Sequence, residues 1–323
     1  MDFMKFSLTD DDADRRIDRI VRRFLPDVPL SGIYQLMRKG LIRLDGKKVE
    51  PALRSQAGSE LWIAQSIMAG SSGTPTRQDG KAPYPTPLSL NRMKKYTPEV
   101  LFEDENLLFL NKSAGIAVHG EDGLDRLIPQ ATNADISLSF RTGPLHRLDK
   151  GTTGILAFSR SLTGARWFSQ AIGRHEFEKY YLGIAEGELH EAETWTDSEA
   201  GGKAMVTVAL PLAHARRENL SYTLVRYRII TGRKHQIRIQ TALHGHPLSG
   251  DSRYGSARRE DGSYFLHARE LVFPPDRPNG LPDRLFAPIP ERFARRITDL
   301  FGAESLAELE RGVVYWKDHD EHQ

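Results

Sequence analysis

The sequence predicts an α+β protein with two cores, a small basic α/β module in front and a larger domain built on a mainly antiparallel, mixed β-sheet with flanking helices. Three observations carry this. The chain has 323 residues, and at about 100–200 residues per domain two domains are the natural partition. A stretch rich in Gly, Ser and Pro, residues 66–95, reads as a linker between two differently patterned regions. Behind it, short apolar runs of strand length outnumber helical ones without strict strand–helix alternation, the pattern of an α+β domain. Apolar residues make up 39% and charged residues 27%, with a mean hydropathy of −0.48, and no run approaches the ~18 apolar residues of a membrane span. Cysteine is absent, which excludes disulfides, a thiol nucleophile and thiolate metal sites and suits a reducing cytoplasm, the expected location.

Residues 1–12 are acidic and lack the apolar segment of a signal peptide, so a disordered N-terminus is expected there. The front module is expected over residues 13–65. Ile17, Ile20, Val21, Phe24 and Leu25 mark one face of a helix that Pro26 stops. A second helix begins with Ser31 as N-cap, turns Ile33, Leu36 and Met37 inward and ends at Gly40. Residues 41–49 then read as a hairpin, because Asp45-Gly46 supplies the positive φ values of a two-residue turn. The whole chain carries a charge of only +2, but residues 13–63 hold eleven lysines and arginines against six acids. Such a cluster is either a solvated face or a contact for a phosphate backbone. Arg38, Lys39, Arg43, Lys47 and Lys48 are its core.

In the larger domain, expected over residues 96–300, strands are predicted at 100–103, 107–110, 155–158, 179–185, 205–210 and 222–230, and a helix at 163–173. Residues 301–323 read as a C-terminal tail. Three segments carry chemistry-bearing side chains. The first, PLHRLDKGTTG, puts His146, Arg147 and Asp149 within four residues ahead of a strand. Such a loop can aim a carboxylate into a cleft, and a surface salt bridge between Arg147 and Asp149 explains the tetrapeptide equally well. In the second, FEKYYLGI, Lys179 and Tyr181 share one face of a strand. Tyr181 is there either a core residue or a flat ring for a nucleobase. The third, TGRKHQIRIQTALHGHPLSGD, reads as a helix between Gly232 and Gly245, with Arg238 three residues beyond His235 and able to face the same cleft. His235, His244 and His246 lack a carboxylate pattern of the His-Glu-x-x-His kind, so no metal site is expected.

In this order the three segments resemble the RluA-type RNA pseudouridine synthases. HRLDKGTTG is similar to that family's His-Arg-Leu-Asp-x-x-Thr-Ser-Gly motif, EKYYL to its Lys-x-Tyr motif, and TGRKHQIRIQTALHGHPLSGDSRYG to its Gly-Arg-Thr-His-Gln-Ile-Arg segment. NKSAGIAVHG and FLHARELVFPP give two further matches, so the likeness runs from about residue 100 to 293. The front module, with YQLMRKGLIRLDGKKV, resembles the alpha-L RNA-binding domain. Departures are Thr153 for Ser, Lys234 for Thr, Gln240 for His and Ser113 for Pro. They spare Asp149, Tyr181 and Arg238 and so bear on substrate preference.

The resemblance implies a reaction in which the N1–C1′ bond of a uridine in RNA is broken, the base turned and rejoined through C5, with no cofactor and no metal. It implies Asp149 as the essential carboxylate, Arg238 as the cation opposite it and Tyr181 as the ring against the uracil. An everted base is required, because a stacked one is out of reach. Arg147, with His146 and Lys179, is expected to contact the flipped RNA, and Arg38, Lys39, Arg43, Lys47 and Lys48 to bind its backbone. The expected partner is RNA, large-subunit ribosomal RNA ahead of transfer RNA, with no membrane partner and a monomeric enzyme. Two rivals differ in class. One is a non-catalytic RNA-binding or ribosome-assembly protein on the same scaffold. The other is a glycosidic-bond hydrolase, which needs two carboxylates where the segments offer one of evident standing.

Overall fold

The structure, a computed structural model, describes residues 2–68, 98–131, 137–138, 140–198, 202–257 and 263–311. These group into two units, one drawn from residues 1–96, 125–143 and 159–166, the other from 97–124, 144–158 and 167–323.

The first unit opens with strand β1 (Phe3–Ser7), a single 3-10 turn at Asp10–Asp12, helix α1 (Ile17–Phe24) and helix α2 (Leu30–Arg38). Strands β2 (Ile42–Leu44), β3 (Lys47–Lys48) and β4 (Glu60–Ala64) and a helical turn, α3 (Gln65–Met68), follow. The sheet order is β1-β4-β2-β3. Its core is the predicted helical stripe: Ile17, Ile20, Val21, Phe24 and Leu25 pack with Ile33, Met37, Ile42, Leu61 and Ile63. The hairpin turn is as read, with φ of 48° at Asp45 and 77° at Gly46. Helix α2 starts one residue before Ser31, with Pro29 at the N-cap position.

The acidic N-terminus is not disordered. Phe3–Ser7 pairs antiparallel with β4 along its length, burying Phe6 against Phe24. The aspartates that follow serve as acceptors. Asp12 is fully buried, taking the Thr9 amide at 2.9 Å and the Ser137 hydroxyl at 2.7 Å, and Asp11 accepts the Leu162 amide at 2.8 Å. Acid content alone cannot tell a solvated tail from such a capping device. The module therefore starts at residue 3 rather than 13, and segments 125–143 and 159–166 of the expected catalytic domain group with it. The linker beyond Met68, residues 69–97, lies outside the described residues.

The remaining elements are β5 (Glu99–Glu103), β6 (Leu107–Lys112), α4 (Leu124–Ala131), β7 (Gly143–Pro144), β8 (Thr153–Ser159), α5 (Leu162–Gly173) and β9 (Glu178–Glu186). Then come β10 (Glu193–Asp197), β11 (Met205–Arg217), β12 (Leu220–Ile229), α6 (Gln236–Leu243), β13 (Leu266–Val272), β14 (Arg284–Phe286), α7 (Glu291–Phe301) and α8 (Ala303–Arg311). The large sheet has ten strands in the order β10-β11-β12-β9-β13-β8-β6-β5, with β14 beside β13 and β7 beside β8. The pairing of β8 with β13 is parallel, whereas β5–β6, β9–β12, β9–β13 and the β10–β11–β12 ladder are antiparallel.

Strand alternation sorts β9 between two cores. Leu182 and Ile184 pack with Phe293, Ile297 and Leu309 of α7 and α8, while Tyr181 and Ala185 join Ile237 of α6. The expected tail is thus helical through Arg311, and it is fastened by Arg269, whose Nη2 donates to the Leu309 carbonyl at 3.1 Å. Residues 312–323 lie outside the described residues.

Candidate active site

Asp149 stands on the loop between β7 and β8, and local chemistry fixes that loop. Its entry is held by the Leu145 amide on the Ala157 carbonyl, 2.8 Å, and its exit by the Thr152 amide on the Asp149 carbonyl, 3.1 Å. Lys112, fully buried, donates to the carbonyls of Thr152 at 2.7 Å and Ser113 at 2.9 Å. Burial drives its ammonium down to about 8 while nearby Asp149 opposes that fall. At Gly154, where β8 begins its parallel pairing with β13, φ is +106° and an added Cβ would lie 2.2 Å from the Ala268 carbonyl oxygen, so only glycine fits. The Thr153 hydroxyl, the departure from the family motif, bonds His267 Nδ1 at 2.8 Å in the interior.

The structure brings Asp149 and Arg238 together. Arg238 sits in the first turn of α6, directed inward, and its Nη1 donates to Asp149 Oδ2 at 3.3 Å. Its other edge makes a two-point contact with Asp251, Nε to Oδ2 at 2.6 Å and Nη2 to Oδ1 at 2.9 Å. Asp251 is 2% exposed, Arg238 9% and Asp149 15%, so the exposure rises toward Asp149. Burial alone would depress the Arg238 guanidinium; the hydrogen bonds to Asp251 and the adjoining carboxylates outweigh it and hold it above its ordinary range. Beneath it lies the Tyr264 ring, 4.2 Å away.

His235 holds the other carboxylate oxygen. Its Nε2 lies 3.4 Å from Asp149 Oδ1 and its Nδ1 2.8 Å from the Tyr254 hydroxyl. Facing a carboxylate, which only accepts, a neutral ring carries its proton on Nε2, in electrostatic contact at 3.4 Å rather than in a hydrogen bond, and takes the Tyr254 proton at Nδ1. Burial lowers the basicity of His235, with neighbouring cations adding to that and Asp149 opposing it, which favours this neutral form. The backbone at His235 is left-handed, φ 57°, a conformation that costs a non-glycine residue about 1–2 kcal/mol. It ends the approach to α6 and presents the ring to Asp149.

A cavity of about 600 Å³ opens beside this group, walled by Asp149, Arg147, His235, Arg238, Tyr264 and Arg292. Arg147 is exposed at its wall. Tyr181 adjoins Asp149 from β9 without lining the cavity; burial, then the Asp149 charge, raise its phenol pKa, so the hydroxyl keeps its proton at neutral pH. Lys179, two residues before it on the same strand, is half-buried, its ammonium lowered by that burial, and does not line the cavity either.

His146 is a correction. Its Nε2 accepts the Ala157 amide at 3.0 Å, its ring stacks on Phe168, and burial depresses it to about 4. That is a packing role, not the RNA contact expected of it. The remaining histidines separate as well, His244 lying on the Trp195 ring with Nε2 3.2 Å from Asp197. Gln240, another departure, is fully buried and bonds Asp197, Thr207 and the Trp195 carbonyl, so it holds β10 and β11 to α6.

In the front module Arg38, Lys39, Lys47 and Lys48 are exposed. The Lys48 stem passes within 3.0 Å of where a Cβ at Gly40 would stand, so the end of α2 and the hairpin lie side by side. Arg43 is tied in, Nε donating to the Gly40 carbonyl at 3.0 Å and the guanidinium lying 4.8 Å above the Phe3 ring.

The sequence reading missed Asp251, Tyr254, Tyr264 and Lys112. A signal existed for the first: an arginine pointing into a core requires a buried counter-charge, and GDSRYG follows α6 closely. Nothing in the sequence assigns Tyr264 or Lys112.

Comparison with known proteins agrees with the geometry. The profile of the RNA pseudouridylate synthase family matches residues 106–243. The ribosomal large subunit pseudouridine synthase C of Escherichia coli strain K12 is 30% identical over 288 residues, covering 83% of this chain and 87% of that protein. The protein of the same description from Pasteurella multocida strain Pm70 is 29% identical over 286 residues, 83% and 85%. Among solved structures, human RNA pseudouridylate synthase domain containing 4 shares the fold, with a TM-score of 0.51 and 22% identity over 68% of this chain and 95% of that one. This chain belongs to the RluA-type RNA pseudouridine synthase family. It is an enzyme, an RNA pseudouridine synthase.

Proposed function

We propose that the enzyme isomerises uridine in large-subunit ribosomal RNA, with Asp149 as the reacting carboxylate. The observation that supports this best is the placing of Asp149 at the wall of a cavity, with each carboxylate oxygen faced by a different donor: Oδ2 by Arg238 and Oδ1 by His235. The Arg238 hydrogen bond on one oxygen and the His235 ring facing the other orient the carboxylate. The two-point Asp251 contact uses the rest of the guanidinium and prevents it from swinging away. What remains of the carboxylate surface is turned to the cavity, where an everted nucleotide would bring its C1′ and base.

In this reading Arg147, exposed at the cavity wall, holds the flipped state by stacking or phosphate contact. Tyr181, protonated and next to Asp149, receives the uracil ring when the base enters and assists proton removal at C5. The exposed Arg38, Lys39, Lys47 and Lys48 of the front module bind RNA phosphates. The ribosomal target rests on what the relatives are described as acting on. Pseudouridine mapping by carbodiimide-adduct primer extension tests it, in large-subunit ribosomal RNA from cells with and without the gene. A stop that disappears with the gene and returns with the wild-type chain supports the assignment. Loss of a transfer-RNA stop with the ribosomal pattern intact would overturn it.

A further inference from the structure

Next to the catalytic cavity lies a second hollow of about 420 Å³, lined by Lys203, Arg233, Lys234, Arg253, His235 and Tyr254 among others. Its four full charges come from three separate stretches of chain: the residues just before β11, the turn before α6 and the turn after Asp251. No acidic side chain lines it. Lys203, Arg233, Lys234 and Arg253 are all exposed, and none makes an ion pair with a described residue. Among the described residues the Arg233 side chain donates only to the Ala204 carbonyl, at 3.4 Å. Four cations around one concavity repel each other, and an anion seated among them would relieve that repulsion.

The hollow is continuous with the site of chemistry, since His235 and Arg253 line both cavities. Lys234 is also a departure from the family motif, so its charge is not part of the shared catalytic set.

We propose that this hollow is a phosphodiester subsite, which takes the RNA backbone next to the nucleotide held in the catalytic cavity. It rests on the reading that the catalytic cavity receives the target nucleotide, and it names what lies beside that nucleotide. A neighbouring phosphate of a strand entering the first cavity must lie within one nucleotide of it, and the wall shared by the two cavities carries the Arg253 guanidinium beside the neutral His235 ring. The subsite sets the register of the strand, so that it tightens binding and orients the target uridine without touching the reacting bonds.

The test is a cycle between the protein and the RNA backbone, run on any RNA that the wild-type enzyme converts, so that a wrong ribosomal target leaves it valid. In the protein, Lys203→Gln with Lys234→Gln removes two exposed charges. In the RNA, the charged linkages flanking the target uridine are replaced one at a time by neutral methylphosphonates. With the wild-type enzyme, one replacement is expected to weaken binding about tenfold, and with the double variant the same replacement is expected to have little further effect. The slope of log affinity against log salt should fall by about 0.7 for each lost contact, and Lys203→Arg with Lys234→Arg should restore it. An unchanged slope overturns the proposal. So does a reduced slope with equal methylphosphonate penalties in both proteins, which would make these lysines a diffuse field rather than a subsite. Loss of turnover in an Asp149 variant bears on the catalytic reading alone and leaves this cycle untouched.

Discussion

The two units of this enzyme use charge in opposite ways. In the front module the basic side chains at the end of α2 and on the hairpin, Arg38, Lys39, Lys47 and Lys48, are exposed. In the catalytic unit the chain Tyr254–His235–Asp149–Arg238–Asp251 is largely buried, and every member has a named partner 2.6–3.4 Å away. Exposed charges on flexible stems act by number: each adds a little to RNA affinity, and salt screens them together. Buried charges act by position, because an unpaired one is costly and a displaced one points elsewhere. The difference predicts that damage to the first region is graded and salt-dependent, and damage to the second is steep and nearly independent of salt.

The largest effect short of the proposed reacting carboxylate, Asp149, belongs to Asp251→Asn. It leaves the buried Arg238 with Asp149 as its nearest carboxylate, and breaking such a pair costs about 3–5 kcal/mol. Melting temperature should fall clearly, and turnover should drop by about 10²–10³-fold or more as the guanidinium reorients. Normal melting with normal turnover would break the contrast. Next is His235→Phe, which removes the imidazole facing Asp149 Oδ1. It should lower kcat by about 10–100-fold with a much smaller change in KM, and a pure KM effect would make His235 an RNA contact instead. Tyr181→Phe should bind RNA normally and lose rate if its hydroxyl acts beyond stacking, measured by single-turnover tritium release from C5. Smallest per residue is the module. Replacing Arg38, Lys39, Lys47 and Lys48 by Gln should flatten the salt slope by up to about 0.7–0.9 per lost contact and raise KM more than it lowers kcat. A steep loss from any one of the four would contradict action by number.

A pH prediction follows from two histidines, His267 buried and His146 half-buried. Burial holds His146 at about 4 and His267 at about 3, against 6.5 for the free side chain. Between about pH 6.5 and 4 the unfolded chain takes up protons that the folded chain refuses, so stability falls as pH falls through that window. Melting temperatures across it should show the loss, and His146→Phe should reduce it.

Much of this was legible from residues alone. The 3.6-residue stripe from Ile17 to Leu25, the Asp45-Gly46 turn, the strand runs and the shared cleft of Arg238 and His235 all depend on local spacing, which a sequence displays, whereas the pairing of Arg238 with Asp149 came from the family resemblance. The failures are long-range. Asp11 and Asp12 read as a solvated acidic tail because their acceptor role depends on Leu162 and Ser137, over a hundred residues away. His146 read as a substrate contact because it adjoins Arg147 and Asp149, yet its ring bonds the backbone of β8. Asp251 was passed over for the same reason, since its meaning comes from Arg238 on another element.

The most direct test of the central claim is Asp149→Asn, assayed for RNA affinity and for product under single turnover on the same RNA. The amide keeps the shape and removes the charge between His235 and Arg238. The account predicts affinity close to wild type and no detectable pseudouridine, whereas a variant that still converts most of its RNA would contradict it.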